Sequence, residues 1–274
     1  HITLIKMKTK PQRIIWIRGA GEIGSATAIS LHKAGFRVIL SEINPPLAIR
    51  RSVTFSDAII DGNSSVMGIS AKLQSIEQFL RFENNGVISV FIDNPHQILS
   101  LKPKIIIDAR MIKSYDKDYR KWADHFIGFG PGFVAGQNCH SVIETMRGHD
   151  LGKIIDDGPP MKNTKIPGVV GGESKRRVLY APSDGKLEWV VDFGDIVETD
   201  QLLGRIRETV DIRSPFRGMV RGLIHPDVPM VSGLKIADVD PRGEGIDFNN
   251  ISDKARSLGR AALEASLIYL NNNQ

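Results

Sequence analysis

The run Ile14-Ile15-Trp16-Ile17 is short, continuous and apolar, and it stops at Gly19 and Gly21, which predicts a strand buried on both faces. Residues 22–34 contain no proline, repeat Ile23, Thr27 and Leu31 four apart, and meet Gly35. That pattern predicts a helix with a glycine stop. Residues 36–40 then read as a second strand, set parallel to the first by the short helix between them. Three more apolar runs, at 87–92, 104–107 and 126–129, each end in a polar or glycine-rich turn. Together they predict a doubly wound, mostly parallel α/β sheet, whose ligands sit outside the carboxyl ends of its strands. Those ends carry Arg18 to Gly21, Ser41-Glu42, Asp93-Asn94, Asp108 to Arg110, and Gly130 to Gly132.

The texture changes after about residue 150. Between Arg177 and Pro241 the apolar runs shorten and Gly, Pro and Asp recur, which predicts a small all-β unit. Residues 178–185 and 212–218 share an apolar residue, then Pro, then Gly three later, a weak echo of two matched halves. Residues 252–270 are rich in Ala and Leu and open on Ser252-Asp253, which predicts a helix packed back on the first unit. The expected division is a nucleotide-binding domain over 1–172, a β domain over 173–245 and a C-terminal helix over 246–274.

Composition narrows the function classes. The chain has 274 residues and one cysteine, Cys139, so it has no internal disulfide and suits the cytoplasm. No apolar run approaches the roughly 18 residues of a membrane span. The net charge of +5 suggests nucleic acid at first sight. Residues 1–18 carry that whole excess in Lys6, Lys8, Lys10, Arg13 and Arg18, so neither nucleic acid nor membrane is an expected partner. The opening ten residues show no signal-peptide pattern, and Met7 is the candidate native start.

Chemistry concentrates in Gly19-Ala20-Gly21-Glu22-Ile23-Gly24, a complete G-x-G-x-x-G. Three glycines at this spacing arise easily in a chain with 26 of them, so position decides. Between a strand and a helix, Gly19 makes the turn, Gly21 admits a pyrophosphate, and Gly24 lets helix and strand approach. The helix dipole and free N–H groups favour the anion. Glu42, 18 residues beyond Gly24, is the expected partner of a ribose diol and favours NAD over NADP. Arg50 and Arg51 are either an anion clamp or a solvated helix start. Gly130-Pro131-Gly132, followed by Asn138 as N-cap, reads as a second glycine turn before a helix that closes over a ligand or merely connects. On that helix His140 and Glu144 share a face, and Cys139 at its start is either a reactive thiolate or a small buried hydrophobe. Asp108 and Arg110 are placed for substrate hydrogen bonds or pair with each other. No metal site and no catalytic residue is assigned.

The strings AIRR, DARM and GPGF, within a similarity running from about residue 12 to residue 268, resemble the accessory proteins of the selenium-dependent molybdenum hydroxylase system. The resemblance implies a Rossmann-like domain with a second, smaller barrel-sandwich-like domain. It also implies a role in maturing or delivering a molybdenum cofactor, its labile selenium or sulfur included, with a molybdenum hydroxylase as partner. It puts Gly19, Gly21, Gly24, Glu42, Arg50, Arg51, Asp108, Arg110, Gly130, Gly132 and His140 in signature positions. APSDG, followed by the SPFRG half, resembles lipoyl- or biotinyl-type modules. No Lys stands between Ile206 and Arg213, so the β domain is expected to dock a partner or cover the first domain's site and not to carry a swinging arm. The expected ligand is a small phosphorylated molecule, NAD(P) or a molybdopterin dinucleotide. An NAD(P)-dependent oxidoreductase and a non-catalytic scaffold are the alternatives, and the sequence leaves a homo-oligomer open.

Overall fold

The computed structural model describes residues 13–81, 86–114, 116–162, 171–173 and 175–273. Lys6, Lys8, Lys10 and the candidate start at Met7 lie outside them.

Residues 14–155 build one nine-stranded sheet: β1 (Ile14–Arg18), β2 (Arg37–Glu42), β3 (Asn63–Val66), β4 (Ile69–Leu73), β5 (Ile88–Ile92), β6 (Ile105–Asp108), β7 (His125–Phe129), β8 (Ser141–Ile143) and β9 (Ile154–Ile155). Its order is β3-β4-β5-β2-β1-β6-β7-β8-β9. β1, β2, β5, β6 and β7 stand where the apolar runs predict strands. The pairs from β4 to β8 are parallel, and β3 and β9 add an antiparallel strand at each edge. The chain leaves β1 for β2 on one side and returns to its other side as β6, so the strand order reverses at β1.

The helices are α1 (Glu22–Lys33), α2 (Ala58–Asp61), α3 (Ile76–Arg81), α4 (Pro95–Leu99) and α5 (Asp253–Asn272). One face of the sheet is covered by α1 and α5, with Ile15, Ile17, Leu31, Ala255, Leu258 and Ala262 in a common core. The helices pack closely because a Cβ on Gly259 would lie 2.7 Å from the Ala26 carbonyl oxygen. The opposite face is covered mainly by side chains. Trp16, Phe79, Ile98, Tyr119, Phe126 and Phe133 form its core, and Tyr119 stacks on Phe126 with ring centres 4.9 Å apart.

The second unit consists of two antiparallel sheets. β10 (Val178–Tyr180), β16 (Lys235–Asp240), β15 (Gly218–Leu223) and β12 (Ile196–Val197) form the first in that order, and β11 (Leu187–Trp189), β13 (Leu202–Ile206) and β14 (Val210–Arg213) form the second. Leu187, Leu203, Ile206, Val220 and Ile236 lie between them. The loop after β2 enters the same core: Ile49 is buried there, its carbonyl accepts from Leu223 N at 2.8 Å, and Ile60 packs against it.

This architecture corrects the fold-class expectation. A Rossmann-like doubly wound sheet with a barrel-sandwich-like module gives way to a mixed α/β arrangement of one large mixed sheet, two antiparallel sheets and a long C-terminal helix. The far face is not wound in long helices: among the described residues only the short α3 and α4 reach it, through Phe79 and Ile98. α3 and α4 have six and five described residues, the link from β6 to β7 holds among its described residues only the 3-10 turn Arg120–Trp122, and β7 runs to β8 through Gly130, Pro131, Gly132 and Gly136. The helix expected after Asn138 is absent: the β-branched Val142 and Ile143 pair with β7 and β9 as β8, which occupies the position.

Candidate functional site

The glycine turn lies beyond the carboxyl end of β1. Gly19 has φ +94°, a conformation that L side chains rarely adopt, and its N–H reaches Ser41 O at 2.7 Å. A Cβ on Gly24 would meet Gly19 O at 1.8 Å, so the first turn of α1 lies directly on the loop. Gly21, the N-cap of α1, has nothing within 4 Å of where its Cβ would stand. The space before α1 is open. Ala20 is buried and Ile23 packs against the α1–α5 core.

Glu42 is placed differently from the ribose partner expected. Its carboxylate accepts from Ala20 N at 2.7 Å and from Ile43 N at 2.8 Å, one bond to each oxygen. It therefore ties β2 to the turn. Burial raises its pKa, opposed by these two backbone bonds.

Asp108 is fully buried, and Arg110 closes on it through Nε at 3.0 Å and Nη2 at 2.6 Å. Arg18, 4% exposed, reaches Asp93 at 3.0 Å and Asp108 at 3.5 Å, and its guanidinium lies 5.4 Å from the Trp16 ring centre. Asp108 and Arg110 thus pair with each other inside a network with Arg18 and Asp93, with the Arg110 side chain still 29% exposed.

The second glycine turn is a packing device. A Cβ on Gly132 would fall 2.7 Å from Ile112 O, and Gly130 has φ +85°. Asn138 is no N-cap: its side chain accepts from Val134 N at 2.8 Å and donates to Gly132 O at 3.0 Å, which holds the loop. Cys139 is fully buried and its thiol is pushed up to about 12 by that burial, so it is a small hydrophobe and not a thiolate. His140 Nδ1 accepts from Phe126 N at 2.9 Å, whereas Glu144 accepts from Met146 N at 2.6 Å and Met161 N at 2.7 Å. With no helix to carry them, the two make no ligand pair. Among the described residues no group of three His, Cys, Asp or Glu could hold a metal ion.

A cavity of about 870 Å³ lies between the carboxyl ends of β6, β7 and β8 and the four-stranded sheet. It reaches Glu22, the first residue of α1. Arg50, Lys113, Arg147, Arg177, Arg221, Arg242, Lys254 and Arg256 line it, against Glu22, Glu144, Asp247 and Asp253. Arg50 is held there by Glu22 Oε2 and the Asn250 carbonyl, each at 3.3 Å. Arg51 belongs elsewhere, paired with Asp57 at 2.8 Å and lying over Phe193. Neither arginine is solvated, so the clamp reading survives for Arg50 alone. Behind the wall, Asp238 and Asp240 are buried and take hydrogen bonds from Arg177, Arg221 and Arg242. The sequence reading missed these five residues. Their signal is Asp238-Val239-Asp240, two carboxylates on one face of a strand, with Arg242 two further on.

No protein-family model matches the chain. Among curated proteins it is similar to the uncharacterized protein YqeB of Escherichia coli strain K12, 41% identical over 261 residues, which are 94% of this chain and 48% of that protein. The chain spans about half the length of the curated relative it matches. Among solved structures it is similar to the apo ectoine utilization protein EutE (DoeB) of Ruegeria pomeroyi, with TM-score 0.26 and 10% identity over 82% of this chain and 85% of that one. A succinylglutamate desuccinylase/aspartoacylase of Rhodobacter sphaeroides gives TM-score 0.28 and 15% identity over 83% and 85%. Similarities this low bear on neither fold nor activity. No helix among the described residues is long and apolar enough to cross a membrane.

Proposed function

We propose that this chain binds a small ligand containing pyrophosphate, a dinucleotide or pterin dinucleotide, and serves the maturation or delivery of a molybdenum cofactor to its hydroxylase. The observation that carries the ligand class is the basic cavity reaching the first turn of α1. Among the described residues eight basic and four acidic side chains line it, and counting Asp238 and Asp240 behind the wall leaves an excess of two positive charges among them. An internal pyrophosphate carries about two negative charges and is the group that a glycine turn at a helix N-terminus accommodates. The open space before Gly21 supports the same reading. The molybdenum role rests on the resemblance of AIRR, DARM and GPGF and their surroundings.

Calorimetric titration of the protein with NAD, NADP and a molybdopterin dinucleotide tests the proposal. Binding of a dinucleotide that Gly21→Val abolishes and Arg50→Ala weakens is the expected result. If none of the three binds the unmodified protein, the reading fails and a scaffold role takes its place. Steady hydride transfer between NAD(P) and an alcohol or hydroxy acid would replace it with an oxidoreductase.

A further inference from the structure

The second unit presents to the cavity a row of charges in which cations outnumber anions. Asp238 and Asp240 are 2% and 0% exposed and stand on one face of β16. Arg177 donates to Asp238 at 2.6 Å. Arg221 donates Nε and Nη2 to Asp238 Oδ2 at 3.0 and 2.6 Å, and its Nη1 lies 2.9 Å from Asp240 Oδ2. Arg242 donates to Asp240 at 2.9 and 2.7 Å. From Arg177 to Arg242 the charges therefore run plus, minus, plus, minus, plus. Two carboxylates brace three guanidinium groups, and all three line the cavity.

The strand geometry builds this row deliberately. Val220 pairs with Val239 and Gly222 with Asp238, so Arg221 is the extra residue of a bulge that turns its side chain toward both carboxylates. Arg177 and Arg221 are nearly buried and matched by the two buried carboxylates, so the excess positive charge of the row falls on Arg242, whose side chain lines the cavity and is 46% exposed. Arg177 also has a buried Nε without a partner, as does Arg50 on the facing loop. Carboxylates that hold the inner edges of the forks leave the remaining N–H groups for something in the cavity. Donors from several side chains along one wall of the cavity suit an anion with many free oxygens, such as pyrophosphate, better than a planar carboxylate with two.

We propose that Arg177, Arg221 and Arg242 contact a phosphate-type oxyanion of the ligand directly, so that the second unit supplies half of the binding site. This rests on the reading of the cavity as a phosphorylated-ligand site and adds where its second contact lies. Inorganic pyrophosphate is the probe. Calorimetry on the full chain is expected to show binding that falls about tenfold or more in Arg242→Gln and in Arg177→Lys, which keeps the charge and loses the fork, with unchanged circular dichroism. Citrate is expected to bind more weakly than pyrophosphate, and equal binding overturns the phosphate class. Unmodified protein supplies a readout that needs no variant: pyrophosphate should slow phenylglyoxal labelling of Arg242, whose side chain is 46% exposed, as followed by peptide mass spectrometry. If pyrophosphate binds while both variants keep its affinity and Arg242 labels at the same rate, the row is only a brace and this proposal falls, leaving the cavity reading intact. If pyrophosphate does not bind at all, both fall.

Discussion

Two glycines three residues apart illustrate how one spacing hides two jobs. The Cβ of an alanine at position 24 would stand 1.8 Å from Gly19 O, so Gly24→Ala must push α1 off its loop. It is expected to lower the unfolding free energy by about 1–3 kcal/mol in urea titrations. At Gly21 the same Cβ meets nothing, so Gly21→Ala should unfold at nearly the original urea concentration. Cys139 makes a second residue-level case. With its thiol pushed up to about 12, iodoacetamide at pH 8 should label it only after unfolding, and rapid labelling of the folded chain would refute its burial. The sequence disclosed the glycines because their requirement is local. It did not disclose the roles of His140, Glu144 and Cys139, whose spacing carries meaning only on a helix, whereas pairing with β7 and β9 makes this stretch the strand β8. Nor did it disclose Arg177, Arg221 and Arg242, because strand pairing gathers them from positions up to 65 residues apart.

Among the elements, those with a strong internal pattern were legible and those made by their neighbours were not. Continuous apolar runs announced β1, β2, β5, β6 and β7. α5 announced itself through Ser252, whose hydroxyl accepts from Ala255 N at 3.2 Å, and through its alanines. β8 and β9 span three and two residues and exist only by pairing, so no period marks them. The contact between α1 and α5 depends on small residues: Gly259 faces the Ala26 carbonyl, and Ala255, Ala262 and Ser266 are buried beside it. Gly259→Leu is expected to part the two helices, cost about 1–3 kcal/mol and expose α5 to limited proteolysis, whereas a protease-resistant variant would show that the helices tolerate the added bulk.

For the molecule as a whole, acid should weaken the fold partly through His125. Its ring lies between His140 and Tyr269, with centres 5.2 and 4.6 Å away, and joins β7 to α5. Burial first, and the neighbouring His140 second, lower its pKa from 6.5 to about 4. Between those values the unfolded chain holds a proton that the folded chain refuses, so stability falls as pH drops from about 6.5 to about 4 and this contribution levels off below. Thermal midpoints across that window should decline less steeply in His125→Gln, and parallel slopes would remove His125 as a cause. One last consequence follows from Ile49 and Ile60, the two side chains that the loop after β2 sends into the core of the second unit. A chain cut near residue 172 would leave that unit missing part of its interior and the sheet unit exposing isoleucines. The second unit therefore borrows part of its interior from the sheet unit and is not expected to fold as a separate piece.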